Sequence, residues 1–212
     1  INADVYENVA TKNTGGILVF NMPNLTQQGG NIRVFNNKVF ANNTENFGAK
    51  GTPVASVPAG SGMVVNANDD VEIFDNEISD NATANFIISS VYSTGYKDSS
   101  MAKDFDPYPE RIYVHGNKVS GGGDSPDGMD LKALKLALYG LGGNFPDVLW
   151  DGYYNKDRKV GGKAAAGPEI CLRDVSGVIN ADGPGGYKNP SKDGKPFECD
   201  LPRLPAVDLG RG

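Results

Sequence analysis

Long apolar runs are missing from this sequence. No stretch of about 18 hydrophobic residues occurs, which excludes a membrane-spanning helix of ordinary length. Positive charge is also short. Lys and Arg number 20 against 26 Asp and Glu, giving a net charge of −6. Such a surface attracts neither nucleic acid nor an anionic membrane. Neutral sugars, cations and proteins remain as partners. No signal peptide is visible. Ile1 is not an initiator methionine and the chain opens inside a repeat. The expectation is a piece of a longer precursor, lacking N-terminal coils.

Cysteine is reduced to two residues, Cys171 and Cys199, and histidine to one, His115. No zinc spacing, P-loop, dinucleotide fingerprint or Ser-His-Asp set is present. Both cysteines lie in the irregular C-terminal third. A bridge between them would stabilise by roughly 3–4 kcal/mol in the chain-entropy model. It would also favour an extracytoplasmic compartment, either periplasmic, surface or secreted. Two separate buried thiols are the alternative.

Hydrophobic residues make up 39% of the 212, while Gly alone numbers 28, which favours a turn-rich β protein with a narrow core. One frame recurs. IRVFNNKVFANN carries Ile32, Val34, Asn37, Val39 and Asn42. VEIFDNEISDN carries Val71, Ile73, Asn76, Ile78 and Asn81. IYVHGNKVSGG carries Ile112, Val114, Asn117 and Val119, with Gly122 in the last slot. The opening residues fit more loosely as Ala3, Val5, Asn8, Ala10 and Asn13. Each copy begins with apolar–polar alternation, the mark of a strand with one buried face. Asn follows as a corner residue, because it tolerates the left-handed region and bonds nearby amides. A third strand comes later in each copy: GILVF, GMVV and NFIIS.

Three short strands per repeat cannot bury their apolar faces in one flat layer. Wound into coils and stacked, they can, with Asn amides bonding from coil to coil. The predicted fold is all-β: a right-handed parallel β-helix, or solenoid, over residues 1–180. Frames starting at 3, 32, 71 and 112 are spaced wider than the roughly 20–29 residues a bare coil requires. The surplus predicts insertions at 43–61 and 92–110. A flanking helix is predicted near 126–140, with Ser125 as N-cap, Pro126 first, Asp127 in the first turn and Gly140 or Gly142 as the stop. Leu131, Leu134, Leu138 and Leu141 form its apolar stripe. PDVLWDGYY and EICLRD read as further strands. Residues 181–212, rich in Pro and Gly, read as a wrap or cap.

The run from Asn43 through GTPVASVPAGSGMVV into VEIFDNEISDNATANFIISS, with ICLRD and FECDLPRLP, resembles a bacterial family of parallel β-helix repeat proteins. The wider group includes polysaccharide lyases, alginate C5-epimerases and NosD-like periplasmic proteins. The resemblance implies the coiled fold over nearly the whole chain but carries no settled activity. Some relatives are exported and some are fused to haem domains. No CxxCH occurs here, so no haem is expected in this segment.

Chemistry is sought on outward positions. Tyr6, Phe35, Phe74 and His115 share one slot and should stack along the outside. They would form a platform for sugar rings, to which Tyr96 in the second insertion adds, or a row covered by the first insertion or by the helix. His115 is a candidate general base, since imidazole is the side chain that changes charge near neutral pH. A ring in a row is the blander reading. The loop KDFDPYPER and the segment DSPDGMD flank the same coil. Asp104, Asp106 and Asp124 are candidate calcium ligands. Arg111 is a candidate to neutralise a uronate carboxylate, and Tyr108 to move protons with His115. Calcium is thus the one cofactor admitted, and none is required. Asn24, Asn42 and Asn81 match the glycosylation pattern but read as structural.

Three functions follow. The first is an exported module binding glycan or protein along its flank. The second is a uronate lyase or C5-epimerase. The third is a structural spacer of a larger envelope protein. The first coil, with no neighbour before it, is a candidate surface for association.

Overall fold

The computed structural model describes residues 2–94, 105–165, 167–208 and 210. Tyr96 and Asp104 lie outside them. Among the described residues the fold is mostly β, with three parallel sheets and one α-helix.

The first sheet holds β1 (Ala3–Tyr6), β4 (Gly30–Phe35), β7 (Asp69–Phe74), β10 (Glu110–His115) and β15 (Ile170–Leu172), in that order. The second holds β2 (Val9–Thr11), β5 (Lys38–Phe40), β8 (Glu77–Ser79) and β11 (Lys118–Ser120). The third holds β3 (Gly15–Phe20), β6 (Ser61–Asn66), β9 (Ala84–Ser89), β12 (Val148–Trp150) and β16 (Val178–Asn180). The chain visits first, second and third sheet in the same order four times, then returns to the first and third. A two-stranded antiparallel hairpin, β13 (Lys159–Val160) with β14 (Lys163–Ala164), is the exception, and the sequence pattern gave no sign of it.

Register follows the repeat frame. Ala3 lies beside Ile32, Ile32 beside Val71, and Val71 beside Ile112. Ile112 then pairs with Ile170, so EICLRD is a fifth copy of the first strand. Side chains alternate across each strand, and one set points to a core shared by the three sheets. Val34, Val39, Met63, Ile73, Ile78, Phe86, Ile88, Ile112 and Val148 meet there, each almost fully buried.

The corners differ from expectation in one respect. The left-handed residue is the one before each Asn. Glu7, Asn36, Asp75 and Gly116 have φ of 57°, 53°, 53° and 62° at the first corner. Lys12, Ala41, Asp80 and Gly121 have 59°, 50°, 56° and 62° at the second. The Asn that follows is then free to turn its amide inward and along the stack. Nδ2 of Asn37 donates to Oδ1 of Asn76 at 2.9 Å, and Nδ2 of Asn76 to Oδ1 of Asn117 at 2.9 Å. Asn8 donates to Asn37, and Asn13, Asn42 and Asn81 form the parallel row. Asn42 and Asn81 are fully buried in this role, which closes both to glycosylation.

The helix α1 (Met129–Tyr139) begins later than predicted, with Gly128 at its N-cap and no side-chain cap. The reason is local. Ser125 N–H donates to Ala82 O and Asp127 N–H to Oγ1 of Thr83, while the Asp127 carboxylate accepts from Ala59 N–H. These bonds lash the segment to the third sheet and to the first insertion instead of opening a helix. Gly140, at φ 71°, ends it as expected. Leu131, Leu134 and Leu138 pack on the outer face of the third sheet. Leu141 does not join them and is 92% exposed.

The segment from 181 crosses the far end and returns along one side. Phe197 inserts beside Trp150, with ring centroids 5.5 Å apart, and belongs to the main core. Cys171 and Cys199 form a disulfide. Beyond it the chain runs across the outer face of the first sheet.

Candidate functional site

The outer row of the first sheet stacks as its shared slot requires. Ring centroids are 5.1 Å apart from Tyr6 to Phe35, 5.0 Å from Phe35 to Phe74 and 5.5 Å from Phe74 to His115, with near-parallel planes. The row is open only at Tyr6, which is 50% exposed, whereas Phe74 is buried. Neither the first insertion nor the helix covers it. The C-terminal strap does. Arg203 lies over Phe74 at 4.6 Å and ion-pairs with Glu72. Leu204 N–H donates to Glu72, and Val207 N–H to Asp4. Large apolar side chains in one stripe favour a cover, and the strap is the segment that reaches them.

His115 sits at the end of β10. Its Nε2 is 2.9 Å from Oε1 of Glu72, and its ring also meets Tyr113 at 4.2 Å. It is a ring in the covered row, paired to a carboxylate that is 1% exposed. Four steps along an extended strand separate it from Arg111, roughly 13 Å at the usual rise. The structure therefore does not bring His115 to Arg111 and Tyr108 as one set.

A second constellation forms where the third sheet turns into the first. Asp69 opens β7 and Glu110 opens β10, and the two are register partners. Asp106, in the loop before β10, joins them. Carboxylate oxygens of the three lie within 4.8 Å of one another. Asp106 also accepts from the N–H of Tyr108 at 3.1 Å. Tyr108 leans on Tyr92, centroids 5.8 Å apart, and Tyr92 on Tyr153 at 5.2 Å. Tyr92 is 48% exposed, so this aromatic group faces solvent.

Two arginines offset the mutual repulsion of the carboxylates. Arg158 pairs with Glu110 and with Glu169. Arg111 is bound by both oxygens of Asp70 and stands 3.5 Å from Asp69. A repeated irregularity explains that pairing. Asn31, Asp70, Arg111 and Glu169 all have φ between 51° and 55°. The same left-handed step at the start of each first-sheet strand sets Asp70 and Arg111 side by side.

Charge is strained here. Burial, then the charge of Asp106, pushes the Asp69 carboxyl up to about 7, against the pull of Arg111. One Asp69 oxygen is buried without a hydrogen-bond partner. Burial also raises Glu110, opposed by Arg158. Burial, then Tyr92, pushes the Tyr108 phenol up to about 12. The hydrogen bond to Asp70 comes first in holding Arg111 above its ordinary range. Three carboxylates with an unpartnered buried oxygen suit a hard cation. The donor set differs from the sequence expectation. Asp106 is shared, Asp69 and Glu110 join it among the described residues, and Asp124 stands at a different corner, its carbonyl accepting from Lys135.

Sequence reasoning missed Asp69, Glu72 and Arg158, and gave Glu110, in the KDFDPYPER loop, no role. Asp69 and Glu110 share the slot two residues before Val71 and Ile112, where the earlier copy has Gly30. That change from Gly to acid within one frame was the available signal.

No family model, no curated protein and no solved structure matches this chain.

Proposed function

We propose that this chain is an extracytoplasmic carbohydrate-binding module, and that sugar rings sit on the tyrosine–carboxylate corner. The observation carrying this is Asp106, which joins the exposed Tyr92–Tyr108–Tyr153 group to Asp69 and Glu110. Aromatic faces carry negative potential and attract the C–H faces of sugars. Carboxylates beside them accept sugar hydroxyls. The disulfide favours a location outside the cytoplasm.

The scaffold in this reading is a right-handed parallel β-helix. Its support is the unchanged order of sheets and the strand register, with parallel crossovers of the ordinary hand. The resemblance to bacterial β-helix repeat proteins rests on the quoted motifs. β1, β2 and β3 each pair on one side, so a further coil or a second copy would stack there.

Binding to a panel of oligouronides and neutral oligosaccharides, read by calorimetry, tests the proposal. Tyr92→Ala should weaken binding at least tenfold, whereas Tyr6→Ala, at the exposed end of the aromatic row, should not. Equal losses from both, or no binding by the parent protein, would overturn it.

A second reading, a uronate lyase or epimerase, is favoured by Asp69 alone. A carboxyl near 7 can carry a proton at neutral pH and give it to a leaving oxygen. Incubation with polyuronates, following unsaturated product and C5 inversion, separates the two readings.

A further inference from the structure

A cleft of about 860 Å³ lies between α1 and the outer face of the third sheet, away from the tyrosine corner. Its floor is a row set by register: Val64, Ile87 and Leu149 lie side by side. Leu131 and Leu134 of α1 form the facing wall. Apolar walls of this size enclose a volume typical of small-molecule sites.

One end of the cleft is polar. The next outward row of the sheet brings Ser89 and Asp151 there, with Ser93 from the following turn. Their protons are already committed. Ser89 Oγ donates to Oδ1 of Asn66 at 3.0 Å, and Ser93 Oγ to Oδ2 of Asp151 at 2.8 Å. Asp151 is 8% exposed and accepts further bonds from Ser90 N–H and Ser90 Oγ. What this end presents is lone pairs over a buried carboxylate. A guest completing it must donate hydrogen bonds. Asp127 and Asp130 also line the cleft, and Lys188, its one lysine, is exposed at the rim. The field inside favours a cationic head over an anionic one.

From this geometry we infer that the cleft is a second binding site, which takes a small amphiphile with an alkyl chain and an ammonium head. The chain lies on Val64, Ile87 and Leu149, and the head donates to Ser89 and Ser93.

The test uses N-phenyl-1-naphthylamine, whose fluorescence rises in apolar surroundings, displaced by decylammonium or decanoate below their micelle concentrations. Uptake of the dye by the full chain is expected, with decylammonium displacing it at a concentration at least tenfold lower than decanoate. Ala133→Trp and Ala137→Trp, at exposed cleft-lining positions of α1, should abolish uptake with an unchanged melting temperature. Ser93→Ala should cut the preference for the amine several-fold. No uptake by the parent chain, equal displacement by decanoate, or undiminished uptake by both Trp variants would overturn the inference.

Discussion

The backbone N–H of Leu204 donates to Oε2 of Glu72, 132 residues earlier, at 2.8 Å. Glu72 meets His115 and Arg203 as well, so a carboxylate that is 1% exposed has three partners. A buried charge is tolerable only when paired in this way. It is the fastening of the strap over the aromatic row.

Glu72→Gln keeps the shape and removes the charge. It should destabilise by about 1–3 kcal/mol, because Arg203 and His115 lose the charge on their acceptor and one of its two oxygens becomes a donor. Urea unfolding reads this, and a dye for apolar surface should bind the freed Phe74 face. Unchanged stability with no dye uptake would mean that the strap is held elsewhere.

The disulfide anchors the same strap at its root. Cys199→Ser should lower stability by roughly 3 kcal/mol, the loop-closure contribution for a separation of this size. Hydrogen exchange should then speed first at the Leu204 and Val207 amides, ahead of the sheets.

Asn76 is the centre of its row. It donates to Val34 O and to Asn117, and accepts from both the N–H and the side chain of Asn37. Asn76→Ala orphans several buried groups at once and should cost roughly 3–5 kcal/mol. Asn8→Ala, at the exposed end of the row, should cost about 1 kcal/mol or less. Denaturant midpoints of the pair decide whether burial or mere membership of the row matters.

Asp69 gives a pH dependence of definite sign. Its native pKa, about 7, stands above its ordinary value of 3.8. The native state therefore binds the proton more tightly, and stability falls as pH rises through that window. Glu110 is shifted in the same direction. Asp69→Asn should match the parent near pH 4 and exceed it at pH 8 in urea midpoint. A parent that gains stability across this range would contradict the assigned burial of Asp69.

A divalent cation competes with that proton. Millimolar CaCl₂ at pH 8 should raise the melting temperature of the parent chain by mass action. Asp106→Asn should lose most of the gain.

Much of the fold was legible because a strand with one buried face must alternate, and strands paired in register repeat one frame. The frame at Val71 and Ile73 predicted both register and the Asn rows. The aromatic row was legible for the same reason. Its cover was not, since Arg203 and Leu204 carry no periodic mark and act through contacts more than 100 residues distant. The helix start was misjudged because Asp127 bonds Ala59 and Thr83 contributes its hydroxyl, tertiary partners that no local cap rule contains. The carboxylate corner was half legible. Asp106, Arg111 and Tyr108 lie close in sequence, whereas Asp69 and Arg158 reach them only through stacking.

The left-handed corners leave the protein short of its own thermal ceiling. At Lys12 and Ala41 an L side chain is pressed toward the next carbonyl, at about 1–2 kcal/mol each. Glycine at those two bends would relieve more than the roughly 0.5–1 kcal/mol of chain freedom it gives up. Heat resistance is thus stored, unused, in the hinges between ribbons and not in the packed interior.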